Sequence, residues 1–316
     1  MSWLELSLDA TAEAIDWIAT LLGETGQIDH IRIVQESVDQ QLAQPWPYTA
    51  YFYLVNNSQA RRRTEAIAQR LASLERTGLT TALQIAIVEA IPPTDAAAQP
   101  MHRIGQHFVL LPPNAIYTPQ SNSDLLLRLK PSLAFGSGLH PATIASLQLL
   151  EQSVQSGMQT LDLGCGSGIL SLAMAKLGAT VLALDNDPVA VAATQETIQL
   201  NQVESQVTVQ VGSLGCGSQM GHWMGGNLPE SVPSVPLANQ FDLIMANILA
   251  RIHGALANDY RQALRSSGSQ LGLLITAGYT TDLAQEVEAS LATAGFTAIA
   301  NLQLDEWIAQ VYQLSH

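Results

Sequence analysis

Apolar and polar positions alternate in two different periods over the first ninety residues. Leu4, Leu6 and Leu8 recur at every second position, which predicts a strand, and apolar residues recur every three or four positions within 12–22, which predicts a helix. The pattern predicts the order strand, helix, strand, strand, helix, strand. The predicted ranges are 3–8, 12–22, 30–35, 49–55, 58–76 and 83–88.

This order is typical of the split βαβ, ferredoxin-like arrangement. The segment holds no converging cluster of titratable residues, so we interpret it as a binding or positioning module. Pro92 and Pro93 then mark a break, because paired prolines cannot continue a helix. We therefore predict a ferredoxin-like domain over 1–92, a linker over 93–118 and a second domain over 119–316.

From residue 141 onwards, apolar runs alternate with helical patterns, as in an open α/β sheet. The predicted strands are 160–163, 181–184, 207–211, 241–246, 270–276, 297–302 and 307–314. The short turn at Asp305 and Glu306 predicts that the sheet ends in an antiparallel hairpin. Residues 212–240 are rich in Gly, Ser and Pro, which predicts a flexible insertion; His222 and Trp223 lie in it without a clear chemical role.

Composition and charge narrow the class of protein. The 316 residues are 47% hydrophobic and 13% charged, which excludes a disordered chain and allows two domains. A net charge of −14 argues against binding a phosphate backbone and suits a basic protein partner. Without a signal-peptide pattern or an apolar run of bilayer length, we expect a cytoplasmic monomer that contacts neither membrane nor nucleic acid.

Two cysteines make neither a disulfide framework nor a metal site, so Cys165 and Cys216 are predicted to be free thiols and no metal is expected. Cys165 belongs to the most informative stretch, Thr160-Leu-Asp-Leu-Gly-Cys-Gly-Ser-Gly-Ile169, in which a buried strand leads into a helix. Such a turn either binds a nucleoside or is only a tight connection. About twenty residues later, Asp185 ends a second strand, where a carboxylate can hold a ribose.

The spacing of the glycines distinguishes between nucleosides. A dinucleotide fingerprint has its third glycine at the sixth position, whereas Gly164, Gly166 and Gly168 occupy the first, third and fifth. The acid Asp162 offers nothing to a phosphate. S-adenosylmethionine, with its sulfonium, its ammonium group and its ribose diol, suits these residues better.

The pattern Asp-x-Gly-x-Gly-x-Gly resembles the first motif of class I methyltransferases. Two more segments, Leu129-Lys-Pro-Ser-Leu-Ala-Phe-Gly-Ser-Gly-Leu-His-Pro-Ala-Thr143 and Met245-Ala-Asn-Ile-Leu249, resemble the ribosomal protein L11 methyltransferases. The resemblance covers most of the chain and is strongest over 129–250. It implies a class I seven-stranded doubly wound sheet with a terminal antiparallel hairpin, preceded by the small α+β domain, which recognises a basic ribosomal protein.

By matching position, the resemblance implies cofactor contacts from Thr143, Gly164, Asp185 and Asn247, and Gly166 and Phe135 are further candidates for cofactor binding. It also implies that Asn247 is the catalytic residue, because its amide can orient an incoming amine. Alternatives stay open for the residues outside the glycine turn. Thr143 can stabilise its helix, Asn247 can cap the next helix, and Phe135 can fill the seam between domains. His140 suits a structural hydrogen bond better than a general base.

The implied reaction is S-adenosylmethionine-dependent N-methylation of lysine ε-amino groups, of an N-terminal α-amino group, or of both, on a large-subunit ribosomal protein. Deprotonation at pH 7 costs about 4.6 kcal/mol for a lysine and about 1 kcal/mol for an α-amine. The chain departs from the family over 94–102, which lacks the usual aromatic and lysine residues before Arg103-Ile-Gly105. The alternatives are methylation of another protein or a small molecule, and a non-catalytic adenosylmethionine-binding, ribosome-associated factor.

Overall fold

The structure is a computed structural model that describes residues 2–23, 30–35, 46–91, 101–130, 138–219, 232–235, 238–266 and 271–315. The chain divides into two compact units. The first comprises Met1–His102, Leu110–Gln120 and Arg128–His140, and the second comprises Arg103–Val109, Ser121–Leu127 and Pro141–His316. The domain boundaries 1–92, 93–118 and 119–316 stay predictions.

The first unit begins with an antiparallel four-stranded sheet and two helices. Its elements are β1 (Trp3–Ala10), α1 (Ala12–Gly23), β2 (His30–Gln35), β3 (Tyr48–Val55), α2 (Ala60–Arg76) and β4 (Gln84–Val88). The strands lie in the order β2-β3-β1-β4, and neighbouring strands are antiparallel. Alternate residues of β1, Leu6 and Leu8, pack with Ile67 of α2 in one apolar core. The predicted ferredoxin-like element order is confirmed.

A small sheet follows, made of β5 (His102–Ile104), β6 (Phe108–Leu111) and β7 (Leu125–Arg128) in that order. Two of its strands, β5 and β6, lie in the stretch that the sequence predicts as a linker. Residues 92–100 of that stretch lie outside the described residues. Arg103, in β5, forms an ion pair with Asp124 at 2.8 Å.

The second unit is dominated by a seven-stranded sheet with helices between its strands. Its elements are α3 (Pro141–Ser153), β8 (Gln159–Leu163), α4 (Ile169–Lys176), β9 (Thr180–Asp185), α5 (Pro188–Leu200), β10 (Val207–Val211), β11 (Ser213–Leu214), β12 (Ser234–Val235), β13 (Leu243–Asn247), α6 (Ala250–Ala263), β14 (Leu273–Thr280), α7 (Ala284–Thr293), β15 (Phe296–Leu304) and β16 (Trp307–Leu314). The strand order is β10-β9-β8-β13-β14-β16-β15.

Pairing in this sheet is parallel from β10 to β14, and β16 runs antiparallel between β14 and β15. The predicted terminal hairpin is therefore confirmed. The central strands are rich in buried apolar residues, as expected for strands covered on both faces; Leu161, Leu163 and Ile244 have no exposed surface. Because β9, β8 and β13 are parallel neighbours, their carboxyl ends meet at one edge of the sheet.

The described ends of the 212–240 segment are partly regular. β11 pairs with β12 in parallel, and Gly215–Gln219 form a short 3₁₀ helix. Residues 220–231, which include His222 and Trp223, and residues 236–237 lie outside the described residues, so a flexible insertion stays a prediction. Across the described ranges, each helix is too short or too polar to span a bilayer.

Candidate active site

The glycine turn after β8 depends on backbone conformations that favour glycine. Gly164, Gly166 and Gly168 have φ angles of 80°, 55° and 81°. The N–H groups of Gly164 and Cys165 donate to the carbonyl of Leu184 at 2.8 and 3.0 Å, which ties the turn to β9. A Cβ on Gly168 would lie 3.0 Å from the Cα of Thr194. The turn is therefore held tightly between β9 and α5.

Two buried threonines of α5 fix the carbonyl groups of this turn. Thr194 Oγ1 donates to the carbonyl of Gly166 at 3.0 Å, and Thr197 Oγ1 donates to that of Ser167 at 2.7 Å. With these carbonyls bonded to α5, the turn keeps one conformation. Sequence reasoning missed both residues, although their spacing of three places them on one helix face.

Asp185 ends β9 beside the turn. Its Oδ2 accepts from the N–H of Gly166 and its Oδ1 from the N–H of Asp187, both at 3.0 Å. The residue is buried, with 8% of its surface exposed. A carboxylate has about four acceptor positions, so one that supports the turn can also accept from the hydroxyls of a ribose.

Asp162 lies inside the sheet on β8 and has no exposed surface. Burial, against opposing hydrogen bonds from Ser171 and with a smaller contribution from the charge of Asp185, raises its pKa to about 7. Ser171 Oγ donates to Oδ2 at 2.5 Å, whereas Oδ1 has no hydrogen-bond partner among the described residues. Asp162 is thus a buried carboxyl group that gains or loses its proton near neutral pH. Its hydrogen-bond partner Ser171 was not predicted from the sequence.

Asn247 ends β13, and Thr143 lies buried in the first turn of α3. The structure brings them together: Asn247 Nδ2 donates to Thr143 Oγ1 at 3.4 Å. Asn247 Oδ1 is buried without a partner among the described residues. The next helix, α6, has Leu249 at its N-cap and no side-chain capping bond, so Asn247 does not cap it.

The remaining candidates are Phe135, His140 and the two cysteines. Phe135 lies outside the described residues. His140 is fully buried, and burial lowers its pKa to about 4, which favours a structural role because a general base at neutral pH needs a pKa near 7. Cys165 and Cys216 are free thiols, as predicted.

These residues fit S-adenosylmethionine. The turn allows close approach of a ligand to the backbone, Asp185 can accept from a diol, and Asp162 and Asn247 each have a buried oxygen without a partner among the described residues. Fold and site together define a class I methyltransferase, whose methyl donor is S-adenosylmethionine.

Comparison with known proteins identifies the family. The family model described as Ribosomal protein L11 methyltransferase (PrmA) matches residues 2–314. A protein named ribosomal protein L11 methyltransferase from Chloroflexus aurantiacus is 37% identical over 99% of this chain and 98% of its own length. A protein of the same name from Herpetosiphon aurantiacus is 36% identical over 98% of each chain.

A solved structure agrees. The crystal structure of ribosomal protein L11 methylase from Lactobacillus delbrueckii subsp. bulgaricus superposes with a TM-score of 0.55 at 27% identity, covering 68% of this chain and 99% of that one. The chain belongs to the ribosomal protein L11 methyltransferase family and is a protein methyltransferase. The predicted family and fold are confirmed.

Proposed function

We propose that this enzyme transfers methyl groups from S-adenosylmethionine to amino groups of ribosomal protein L11, at lysine ε-amino groups, at the N-terminal α-amino group, or at both. One observation carries the proposal: Asn247 has a buried side-chain oxygen without a partner among the described residues, at the edge of the sheet where the glycine turn also lies. An amide oxygen in this position accepts N–H groups, and an incoming amine supplies them.

The cofactor contacts are assigned from position and chemistry. Gly164 and Gly166 let the ligand approach the backbone, and Asp185 accepts from the ribose hydroxyls. Thr143, in α3, accepts a hydrogen bond from Asn247 and therefore lies beside the same proposed site. Phe135 is a cofactor contact by resemblance alone.

Asn247 acts by orientation. When bound, the cofactor would supply an electrophilic methyl group on a sulfonium, and the sulfur–methyl bond would break as the nitrogen–methyl bond forms, leaving the thioether. Asn247 Oδ1 accepts one N–H of the neutral amine and aligns the nitrogen lone pair with the methyl carbon, which lowers the entropic cost of attack. His140 has a pKa of about 4 and is a poor base for the amine at neutral pH.

The electrostatic balance supports a basic substrate. The chain carries 27 acidic against 13 basic residues, so its field attracts a lysine-rich protein and repels a phosphate backbone. We propose that the enzyme acts in the cytoplasm as a monomer on the basic L11 protein, without direct contact to nucleic acid.

The test is incubation of the purified protein with labelled S-adenosylmethionine and unmethylated L11, followed by mass spectrometry of the intact substrate and its peptides. We expect increments of whole methyl groups on amines. As a matched control, Asn301→Ala on the exposed part of β15 should methylate at the wild-type rate, whereas Asn247→Ala should not.

Calorimetry with the cofactor, combined with the methylation assay, distinguishes the alternative functions. Cofactor binding without methylation of L11 would indicate a non-catalytic binding factor. Cofactor binding with methylation of another acceptor would indicate a different substrate. Tighter binding of NAD than of S-adenosylmethionine would contradict the whole assignment.

A further inference from the structure

A buried hydrogen-bonded pair lies in α6, directly after the strand that carries Asn247. His253 and Tyr260 have no exposed surface, and Tyr260 Oη lies 3.3 Å from His253 Nδ1. The other ring nitrogen, Nε2, lies 3.0 Å from the carbonyl oxygen of Ala277 on β14. Neither residue has a part in the function proposed above.

The contacts determine which nitrogen carries the proton. A carbonyl oxygen only accepts, so His253 Nε2 must donate to Ala277, and Nδ1 is then left to accept from the Tyr260 hydroxyl. Burial lowers the pKa of His253 to about 4, against smaller raising contributions from hydrogen bonds with the backbone of Ala277 and Ile248. The ring is therefore neutral at physiological pH and has one fixed tautomer.

The carbonyl of Ala277 connects this pair to Asn247. It also accepts from the N–H of Ile248 at 3.0 Å, and Ala277 is the register partner of Asn247 in the parallel ladder. The next residue, Gly278, has a φ of 90°, and a Cβ there would lie 2.9 Å from Asn247 Oδ1. A displacement of the Ala277–Gly278 backbone would therefore move the surroundings of the Asn247 amide directly.

The ring has little freedom to move. It meets the ring of Tyr279 edge to face, with 5.3 Å between centroids. The N-terminus of α6 has no side-chain cap, so His253 supplies a side-chain bond from the start of α6 to β14.

We propose that His253 is a positioning residue for methyl transfer: it clamps the carbonyl of Ala277 and thereby fixes the turn that aims the Asn247 amide at the amine, with Tyr260 fixing the tautomer. This inference rests on the proposed role of Asn247. It assigns no proton transfer to His253, which remains neutral throughout.

Three substitutions test the clamp. In His253→Gln the side-chain amide can replace the Nε2–H donor, in His253→Leu nothing replaces it, and in Tyr260→Phe only the hydroxyl is lost. We expect His253→Leu to lower kcat by about tenfold to a hundredfold, as for small misplacements of a reacting group, with KM for L11 and the cofactor Kd nearly unchanged. His253→Gln should recover most of kcat, and Tyr260→Phe should lower it least.

The matched control is Thr160→Val, which removes another buried hydroxyl, one that donates to the carbonyl of Thr180 near the amino end of β8. It should leave kcat unchanged at a comparable loss of thermal stability. Equal losses of kcat in Thr160→Val and Tyr260→Phe, or in His253→Gln and His253→Leu, would overturn the proposal, because only general destabilisation would then remain.

Coupling between residues separates this inference from the proposed function. If His253 acts through Asn247, His253→Leu should slow the Asn247→Ala enzyme by much less than it slows the wild type. Equal effects in both backgrounds would overturn the positioning role while leaving the function intact. Failure of Asn247→Ala to change kcat would instead refute the proposed role of Asn247.

A spectroscopic readout does not require activity. Nitrogen-15 spectra of histidine-labelled protein without cofactor should show His253 protonated at Nε2 only, from pH 5 to pH 8, and Tyr260→Phe should perturb its Nδ1 resonance. If His253→Leu does not fold, this spectrum and the kinetics of Tyr260→Phe still test the positioning role of His253. Protonation at Nδ1 would overturn the clamp.

Discussion

Asp185 and Asn247 both end parallel strands of one sheet, but their side chains are bonded in opposite ways. Asp185 accepts backbone N–H groups on both carboxylate oxygens, at 3.0 Å each. Asn247 makes one side-chain hydrogen bond, at 3.4 Å to Thr143, and its buried oxygen has no partner among the described residues. An unpaired buried acceptor costs about 1–3 kcal/mol, which folding alone does not explain.

The difference indicates that the ends of β9 and β13 have different roles at the edge of the sheet. The end of β9 is completed by its own backbone and is formed before any ligand arrives. The end of β13 has an acceptor without a partner among the described residues, and a bound molecule can satisfy it. Cofactor residues should therefore affect both folding and affinity when they are changed, whereas the residue that aims the amine should affect turnover.

The largest effect is expected for Asp185→Ala. It removes the ribose acceptor and leaves the N–H groups of Gly166 and Asp187 without their partner, so cofactor affinity should fall by at least about a hundredfold and stability by about 2 kcal/mol. Calorimetry and urea unfolding measure the two effects. Asp187→Ala is the control: it removes the cap of α5 at a cost of about 1 kcal/mol without touching the glycine turn. Intact affinity in Asp185→Ala would reduce that residue to a structural role.

Asn247→Ala should slow turnover by about a hundredfold, the typical effect of losing one aligned hydrogen bond to the reacting group. Stability should change little, because the loss of the Nδ2 bond to Thr143 is offset by the removal of a buried acceptor without a partner among the described residues. Steady-state kinetics with L11 and thermal unfolding measure the two quantities. A large loss of stability with unchanged kcat would remove the contrast with Asp185.

Asp162 modifies the comparison, because it lies on the cofactor side but also has an oxygen without a partner among the described residues. Its pKa in the folded protein, about 7, exceeds the ordinary aspartate value of 3.8, so the folded state holds its proton more tightly than the unfolded state. This contribution to stability is fully present below pH 4 and is lost as the pH rises through 7. We expect a loss of about 2 kcal/mol between pH 5 and pH 7.

Asp162→Asn should flatten this pH dependence, which unfolding by urea at several pH values measures. An unchanged pH profile in the variant would show that Asp162 is ionised in the fold.

The smallest effect is expected at Thr194. Thr194→Val keeps the shape of the side chain but loses the bond to the carbonyl of Gly166, so cofactor affinity should fall by about tenfold, or about 1.4 kcal/mol. Thr194→Ser keeps the hydroxyl and should bind the cofactor nearly as well as the wild type. If Thr194→Val and Thr194→Ser lower cofactor affinity equally, the hydrogen bond alone does not explain the effect, because the Ser variant keeps the hydroxyl and lacks only the methyl group.

Much of the fold was predictable because each element satisfies a local rule. The period of two in β1, the helical spacing in α1 and the apolar runs of β8 and β9 all lead to the observed elements. The small sheet of β5, β6 and β7 was missed in part, since strands of three or four residues carry too few positions to show a period. β14 extends to Thr280, beyond the predicted 276, across an irregularity between Thr276 and Tyr279 that local spacing does not reveal.

The candidate site was predictable where one short motif contains the chemistry. The glycine turn and Asp185 are close in sequence, and Asn247 was reached through a family resemblance. Ser171, Thr194 and Thr197 were missed because their function depends on which helix face meets the turn. The same holds for His253, whose partner Ala277 is 24 positions away in the chain.

The rate at which the thiol of Cys165 is alkylated can report opening of the glycine turn. Cys165 is 5% exposed, and burial raises its pKa well above that of an ordinary thiol. Cys216 lies in an exposed position, although partial burial and the neighbouring Asp259 also raise the pKa of its thiol. Only the thiolate reacts with alkylating reagents. In the same sample, the alkylation rate of the exposed Cys216 therefore serves as the reference. The slower alkylation rate of the buried Cys165 then measures how often the cofactor-binding turn opens.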